Sequence, residues 1–171
     1  MKSIILLSGL VGAGKSTVAR ELVAGLAEPA VYIEGDTFWS FFTGAARQVN
    51  AKNFKTIMIS MTVAAVPYVL AGYDVIVDFS IPPWFLPTAR AVASMRNVPL
   101  DYIVLRPSEA ICAVRAASRT EGVIADYAPY SKLYSSFDDA ERYTIQDDRS
   151  DASELATRIR DGLKAGKFRV S

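Results

Sequence analysis

The stretch Gly9-Leu10-Val11-Gly12-Ala13-Gly14-Lys15-Ser16-Thr17 constrains this chain more than any other, because it fits Gly-x4-Gly-Lys-Ser in full. The apolar run Ile4-Ile5-Leu6-Leu7 precedes it, and the helix-like Val18-Ala19-Arg20-Glu21-Leu22-Val23 follows. Strand, glycine loop and helix in that order are the setting a phosphate-binding loop requires. A polyphosphate is densely negative. A short glycine-rich loop turns successive backbone N–H groups toward it, and the next helix adds its positive N-terminal end.

Gly9, Gly12 and Gly14 permit that backbone, and Gly9, Val11, Gly12, Ala13, Gly14, Lys15, Ser16 and Thr17 together form the expected nucleotide-binding set. Lys15 is a mobile cation for the β- and γ-phosphates, and the Ser16 hydroxyl is a hard oxygen ligand for Mg²⁺. Thr17 supports the α-phosphate side. The expected ligands are therefore a nucleoside triphosphate, read as ATP, and Mg²⁺.

Composition narrows the alternatives. With 171 residues and no Pro/Gly/Ser-rich linker, the sequence predicts a single domain over 1–171. Apolar residues make up 51%, so one core forms and order is expected everywhere except at loops and the last few residues. Nineteen basic against eighteen acidic residues leave +1, with no basic block, which gives no support for nucleic acid or an acidic membrane as a partner. Cys112 is the one cysteine and histidine is absent, so a disulfide framework, a Cys/His metal cluster and histidine chemistry are excluded. Ser60, Thr62 and Pro67 interrupt the apolar stretch from Ile57 to Leu70, which is read as a buried helix rather than a bilayer span. A cytoplasmic protein, monomer or homodimer, is the expectation.

Further along, strands alternate with helices. Ala30-Val31-Tyr32-Ile33 ends in Glu34-Gly35-Asp36, and a long helix from Ala51 to Ala71 is closed by Gly72, with Pro67 as a kink. Asp74 to Asp78 is a strand with an acid at its carboxyl end, and a helix from Pro82 to Arg96 follows. Leu100 to Leu105 is a fourth strand, and Ser108-Glu109 opens a helix through Arg119. Residues 120 to 129 lose periodicity and suggest a lid, placed at approximately 115–130. Ser131 to Ala140 is a short helix, Arg142 to Ile145 a fifth strand, and Asp151 caps a last helix to Ala165. This order predicts a doubly wound α/β fold, with ligands beyond the carboxyl ends of the strands, where Gly9, Asp36, Asp78 and Arg106 gather.

With these motifs the chain resembles the small P-loop kinases, the group that includes gluconate kinase, shikimate kinase, adenylate kinase and chloramphenicol phosphotransferase. The resemblance implies a three-layer P-loop NTPase sandwich around a five-stranded parallel sheet of order 2-3-1-4-5, with a small lid. Glu34-Gly35-Asp36 is similar to the acid-x-acid ending of the second strand in shikimate kinase. On that likeness Glu34 helps hold hydrated magnesium and Asp36 is the base or hydroxyl-orienting group; as a residue alone, Asp36 is equally an N-cap for a helix at Thr37. Asp78 resembles the strand-end acid that acts through magnesium-bound water, its alternative being a solvated carboxylate. Arg115 and Arg119 resemble lid arginines, one packed on adenine and the other on phosphate, and they share one helix face. Thr144 to Ser153 resembles an adenine loop.

Trp39, Phe41, Phe42 and Trp84 are either pocket walls or core, and Arg47, Lys52 and Lys55 suit an anionic acceptor or an exposed face. The expected function is transfer of the γ-phosphoryl of ATP to a hydroxyl of a small molecule. A nucleoside or nucleotide kinase is the alternative within enzymes, and a partner-regulated NTPase switch the alternative outside them.

Overall fold

The computed structural model describes residues 2–26, 28–46, 48–118, 120 and 124–171. Its centre is strand β1 (Ile4–Gly9), all six residues of which are buried. An apolar run with no alternation belongs to a strand covered on both faces. β1 pairs in parallel with β3 (Asp74–Asp78) on one side and β4 (Leu100–Leu105) on the other. β2 (Ala30–Glu34) adds to β3, and β5 (Thr144–Ile145) adds to β4, completing the order β2-β3-β1-β4-β5. All four pairings are parallel, as crossovers through helices require.

The helices are α1 (Lys15–Ala24), α2 (Ala51–Leu70), α3 (Leu86–Ser94), α4 (Glu109–Ala117), α5 (Ala128–Ser135) and α6 (Ala152–Lys164). α1 packs on α6, and α2 packs on α3 and β3. Asn50 caps α2 by accepting from Asn53 N at 2.9 Å, and Asp151 and Glu154 form a reciprocal capping box on α6.

α2 runs as expected from Ala51. α2 ends at Leu70, one residue short of the expected bound, with Pro67 inside its last turn. By length and composition this 20-residue helix is sufficient to cross a membrane, although the apolar stretch from Ile57 to Leu70 alone is too short; here Ile57, Met58, Met61, Ala65 and Val69 are buried in the core, as the sequence reading of a buried helix expects. The expected helix from Pro82 begins as a 3-10 turn, Pro83–Phe85, closed by Phe85 N donating to Pro82 O at 3.0 Å. α5 starts at Ala128, inside the expected lid, and Asp138–Tyr143 is a separate 3-10 segment that shortens β5 to two residues. The tail is docked rather than loose: Tyr102 N donates to Phe168 O and Val170 N to Leu100 O, both at 2.9 Å, and Phe168 is buried.

Candidate active site

The loop after β1 lies at the carboxyl ends of the strands. Gly14 is the N-cap of α1 at φ 86°, a left-handed conformation that costs glycine little, so Lys15 and Ser16 open the helix at its positive end. Lys15 Nζ donates to Leu10 O at 3.1 Å, which lays the lysine across its own loop. Neighbouring elements brace the loop. Ser80 Oγ donates to Gly9 O at 2.9 Å, and Tyr127 Oη donates to Val11 O at 2.8 Å. Ser8 Oγ and Tyr102 Oη both donate to Ile81 O, at 2.7 and 2.6 Å, pinning the segment after β3 to β1 and β4.

On the β2–β3 side, Glu34 and Asp78 are register partners at the carboxyl ends of their strands. Glu34 is exposed, whereas Asp78 is 4% exposed, so the solvated-carboxylate alternative for Asp78 is wrong. Tyr32 Oη donates to Asp78 Oδ2 at 3.0 Å, and its phenol is pushed up by burial and by the Asp78 charge. Among the described residues no three carboxylate, cysteine or histidine side chains form a metal cage. The donors present, the Ser16 hydroxyl and one or two carboxylates, fit a cation that completes its shell with phosphate oxygens and water, as Mg²⁺ does.

Asp36 lies within a 3-10 helix, Gly35–Phe41, not ahead of an α-helix at Thr37. The N-cap position is Glu34 and carries no side-chain cap bond, so the capping alternative for Asp36 does not hold. Asp36 is exposed, and the adjacent Gly35 packs on Phe79, whose backbone N donates to Leu7 O at 3.3 Å. A short chain of contacts thus ties the Asp36 turn to the loop strand. Beside it, Phe38, Trp39 and Phe42 are half-buried against the core, while Phe41 and Trp84 are 68% and 54% exposed. The aromatic group therefore divides between core and rim.

Across β4 and β5 lies a cleft of about 650 Å³ lined by Arg106, Ser108, Tyr134, Gln146 and residues 147–150. Arg106 turns to this side: it pairs with Asp138, and its guanidinium sits 4.6 Å from the Tyr134 ring centre. Asp147 accepts from Ser150 N, Arg149 N and Ser150 Oγ and pairs with Arg158, and these donors, the backbone of Ser150 first, hold its carboxyl far below the usual range. Asp148 accepts from Ser108 N at 2.6 Å, so it, rather than the Ser108 side chain, satisfies the start of α4. The unusual Asp147-Asp148-Arg149 is thus the internal frame of the β5–α6 loop. Arg115 on α4 reaches the phosphate loop, its Nη1 standing 3.8 Å from where a Cβ on Gly14 would be. Arg119 and Arg47 lie outside the described residues.

The structure therefore gathers Lys15, Ser16, Arg115 and Asp78 about one loop, with Glu34 and Asp36 at the adjoining strand end. Sequence reasoning passed over Tyr32, Ser80 and Tyr127. Tyr32 and Ser80 are polar groups on or just past a strand, and Tyr127 lies in the aperiodic segment before α5, so none carries a motif of its own. A separate cavity of about 850 Å³ opens at the opposite end of the sheet, lined by Lys2, Asp74, Asp101 and Arg169 among others.

The sheet order and the loop at β1 define a P-loop protein with the fold of the small kinases. The family described as AAA domain (AAA_33) matches residues 4–129, and the chain belongs to that family. A sugar kinase from Janibacter sp. HTCC2649 is similar at TM-score 0.70 and 17% identity, covering 96% of this chain and 95% of that one. The APS kinase of Mycobacterium tuberculosis, in complex with AMPPNP and APS, is similar at TM-score 0.70 and 18% identity, with 95% and 98% covered. Shikimate kinase from Acinetobacter baumannii, in complex with shikimate, has TM-score 0.66 and 19% identity, with 98% and 96% covered. At such identities the likeness is one of fold. No curated protein matches the chain in sequence.

Proposed function

We propose that the protein is an ATP-dependent phosphotransferase that moves the γ-phosphoryl group of ATP to a hydroxyl of a small molecule. The observation that carries this reading is the complete phosphate loop after β1 on a sheet with the strand order of the small kinases. The exposed carboxylate of Asp36, just past the carboxyl end of β2, is the candidate for orienting an acceptor. The kinase fold and a neighbour holding AMPPNP support the same reading.

In the proposed reaction the loop N–H groups and Lys15 hold the β- and γ-phosphates, and Arg115 adds positive charge beside Gly14. Ser16 and Asp78, with Glu34 at the rim, would hold Mg²⁺, which when bound neutralises phosphate charge. Asp36 aligns the acceptor hydroxyl and takes its proton as the new O–P bond forms and the bond to the β-phosphate oxygen breaks, releasing ADP. Arg119 is proposed to meet the transferring phosphoryl group from the lid. The acceptor is a small molecule, and nucleic acid and membrane are not required.

The test is ATP consumption with and without a metabolite mixture, followed by mass spectrometry for a phosphate adduct. Negligible turnover alone and a large increase with one acceptor support a kinase. Turnover that responds only to a macromolecule supports a switch instead.

A further inference from the structure

Helix α2 carries two apolar faces, and the core uses one of them. Ile57, Met58, Met61, Ala65 and Val69 are buried. Along the other face, Thr56, Ile59, Val63, Val66 and Leu70 follow the alternating three- and four-residue spacing of a helix that packs on another helix. Val63 and Leu70 are 51% and 50% exposed, and Ile59 and Val66 are half-buried. Thr56 Oγ1 donates to Lys52 O at 2.9 Å, so its hydroxyl is satisfied within the helix and can be covered without losing a bond. From Thr56 to Tyr73 no residue is charged. A helix face left to solvent ordinarily carries charged or polar groups.

We propose that this face is the interface between two copies of the chain, with their α2 helices antiparallel about a two-fold axis at Val63. A two-fold sets a patch against itself, so a charge on it would meet its like or be buried unpaired. This patch has none. The helix ends fix the direction. Lys52 lies one turn before Thr56 on the same stripe, at the positive end of its own helix, where a cation is unfavourable. The last turn, Pro67-Tyr68-Val69-Leu70, has no basic residue to offset its negative end. Antiparallel packing carries each Lys52 toward the C-terminal end of the other α2 and answers both, whereas parallel packing would set Lys52 against Lys52. α2 spans about 30 Å, and one helix face of that length covers less than the roughly 800 Å² per partner of a standard interface, so association falls in the micromolar range. None of this depends on the kinase reading.

The experiment is sedimentation equilibrium of wild type and Val63→Lys over about 1–200 µM, which brackets a micromolar Kd. Wild type should pass from one chain to two. Val63→Lys sets two cations on the axis, so its Kd should rise by at least about 100-fold while nucleotide affinity is kept. Lys52→Glu suits its own helix end, yet it should weaken the dimer by about three- to tenfold, because the acid now approaches a negative helix end. A short bis-maleimide should couple Val63→Cys to its copy and leave Tyr68→Cys uncoupled, since Tyr68 is exposed about 140° around the helix and Cys112 is buried. A wild type that stays single throughout, a dimer indifferent to Val63→Lys, or equal coupling at both positions would overturn the inference and leave the phosphate-loop reading intact. So would a single chain that binds vesicles of phosphatidylcholine and phosphatidylglycerol and loses them on Val63→Lys, the behaviour of a membrane-facing helix. If Val63→Lys does not fold, Leu70→Lys takes its place and is read in the same way.

Discussion

Gly12 presses on the carbonyl of Cys112, so closely that a Cβ at position 12 would stand 2.1 Å from that oxygen. The contact joins the phosphate loop to the middle of α4. Gly12 also has φ 84°, so a side chain there meets both backbone strain and backbone atoms that cannot turn aside. Gly12→Ala should lower the melting temperature and abolish ATP binding. Gly44→Ala is the control, because Gly44 has φ 54° but nothing within 4 Å of its missing Cβ. Strain alone costs about 1 kcal/mol, so Gly44→Ala should keep nucleotide affinity. Calorimetry with both variants separates crowding from strain.

Lys15→Ala should reduce acceptor-dependent transfer by at least about 10²-fold, as removal of one donor aimed at developing charge does. Nucleotide affinity should fall as well. Unchanged affinity and turnover in this variant would end the phosphotransferase assignment.

Asp36→Asn keeps the size of the side chain and removes its proton affinity. Transfer should drop by about 10²–10⁴-fold if Asp36 is the base, with ATP affinity and melting temperature kept. Normal turnover would move the search to Glu34 and Asp78.

Tyr127 fastens the residues just before α5 to the phosphate loop through Val11 O at 2.8 Å, and its phenol is pushed up by burial and by neighbouring Cys112. Tyr127→Phe should cost about 1 kcal/mol of stability and weaken ATP binding several-fold, since the loop loses a brace. Denaturant unfolding and nucleotide titration measure the two effects. Lost stability with full affinity would limit Tyr127 to a packing role.

Asp147 has its carboxyl depressed by the donors that frame the β5–α6 loop. A carboxyl lowered on folding stabilises the protein above its unfolded value, about 3.9, and that contribution disappears as pH falls through the folded value. Asp147→Asn should therefore melt below wild type at pH 7, and the gap should narrow progressively as pH falls below about 3.9, toward the much lower folded value. A gap that is constant with pH would mean that the charge of Asp147 plays no part.

The phosphate loop, the strand–helix alternation and the acids at strand ends were legible in the sequence because each rests on local chemistry. Glycines permit a tight turn, apolar runs make buried strands, and an acid ends a strand where the chain leaves the core. Lys15, Ser16, Glu34, Asp36 and Asp78 were accessible in this way. The bracing of the loop was not. Ser80 meets Gly9 from 71 residues away, Tyr127 meets Val11 from 116, and Tyr32 meets Asp78 from 46. Nothing in a hydroxyl's immediate neighbours indicates so distant a partner. The burial of Asp78, the 3-10 turn that removes Asp36 from a cap, and the role of Asp147 and Asp148 as a frame were likewise decided by tertiary structure. Each depends on which strand ends and loops the sheet order brings side by side, and a chain read one residue at a time carries that only as topology.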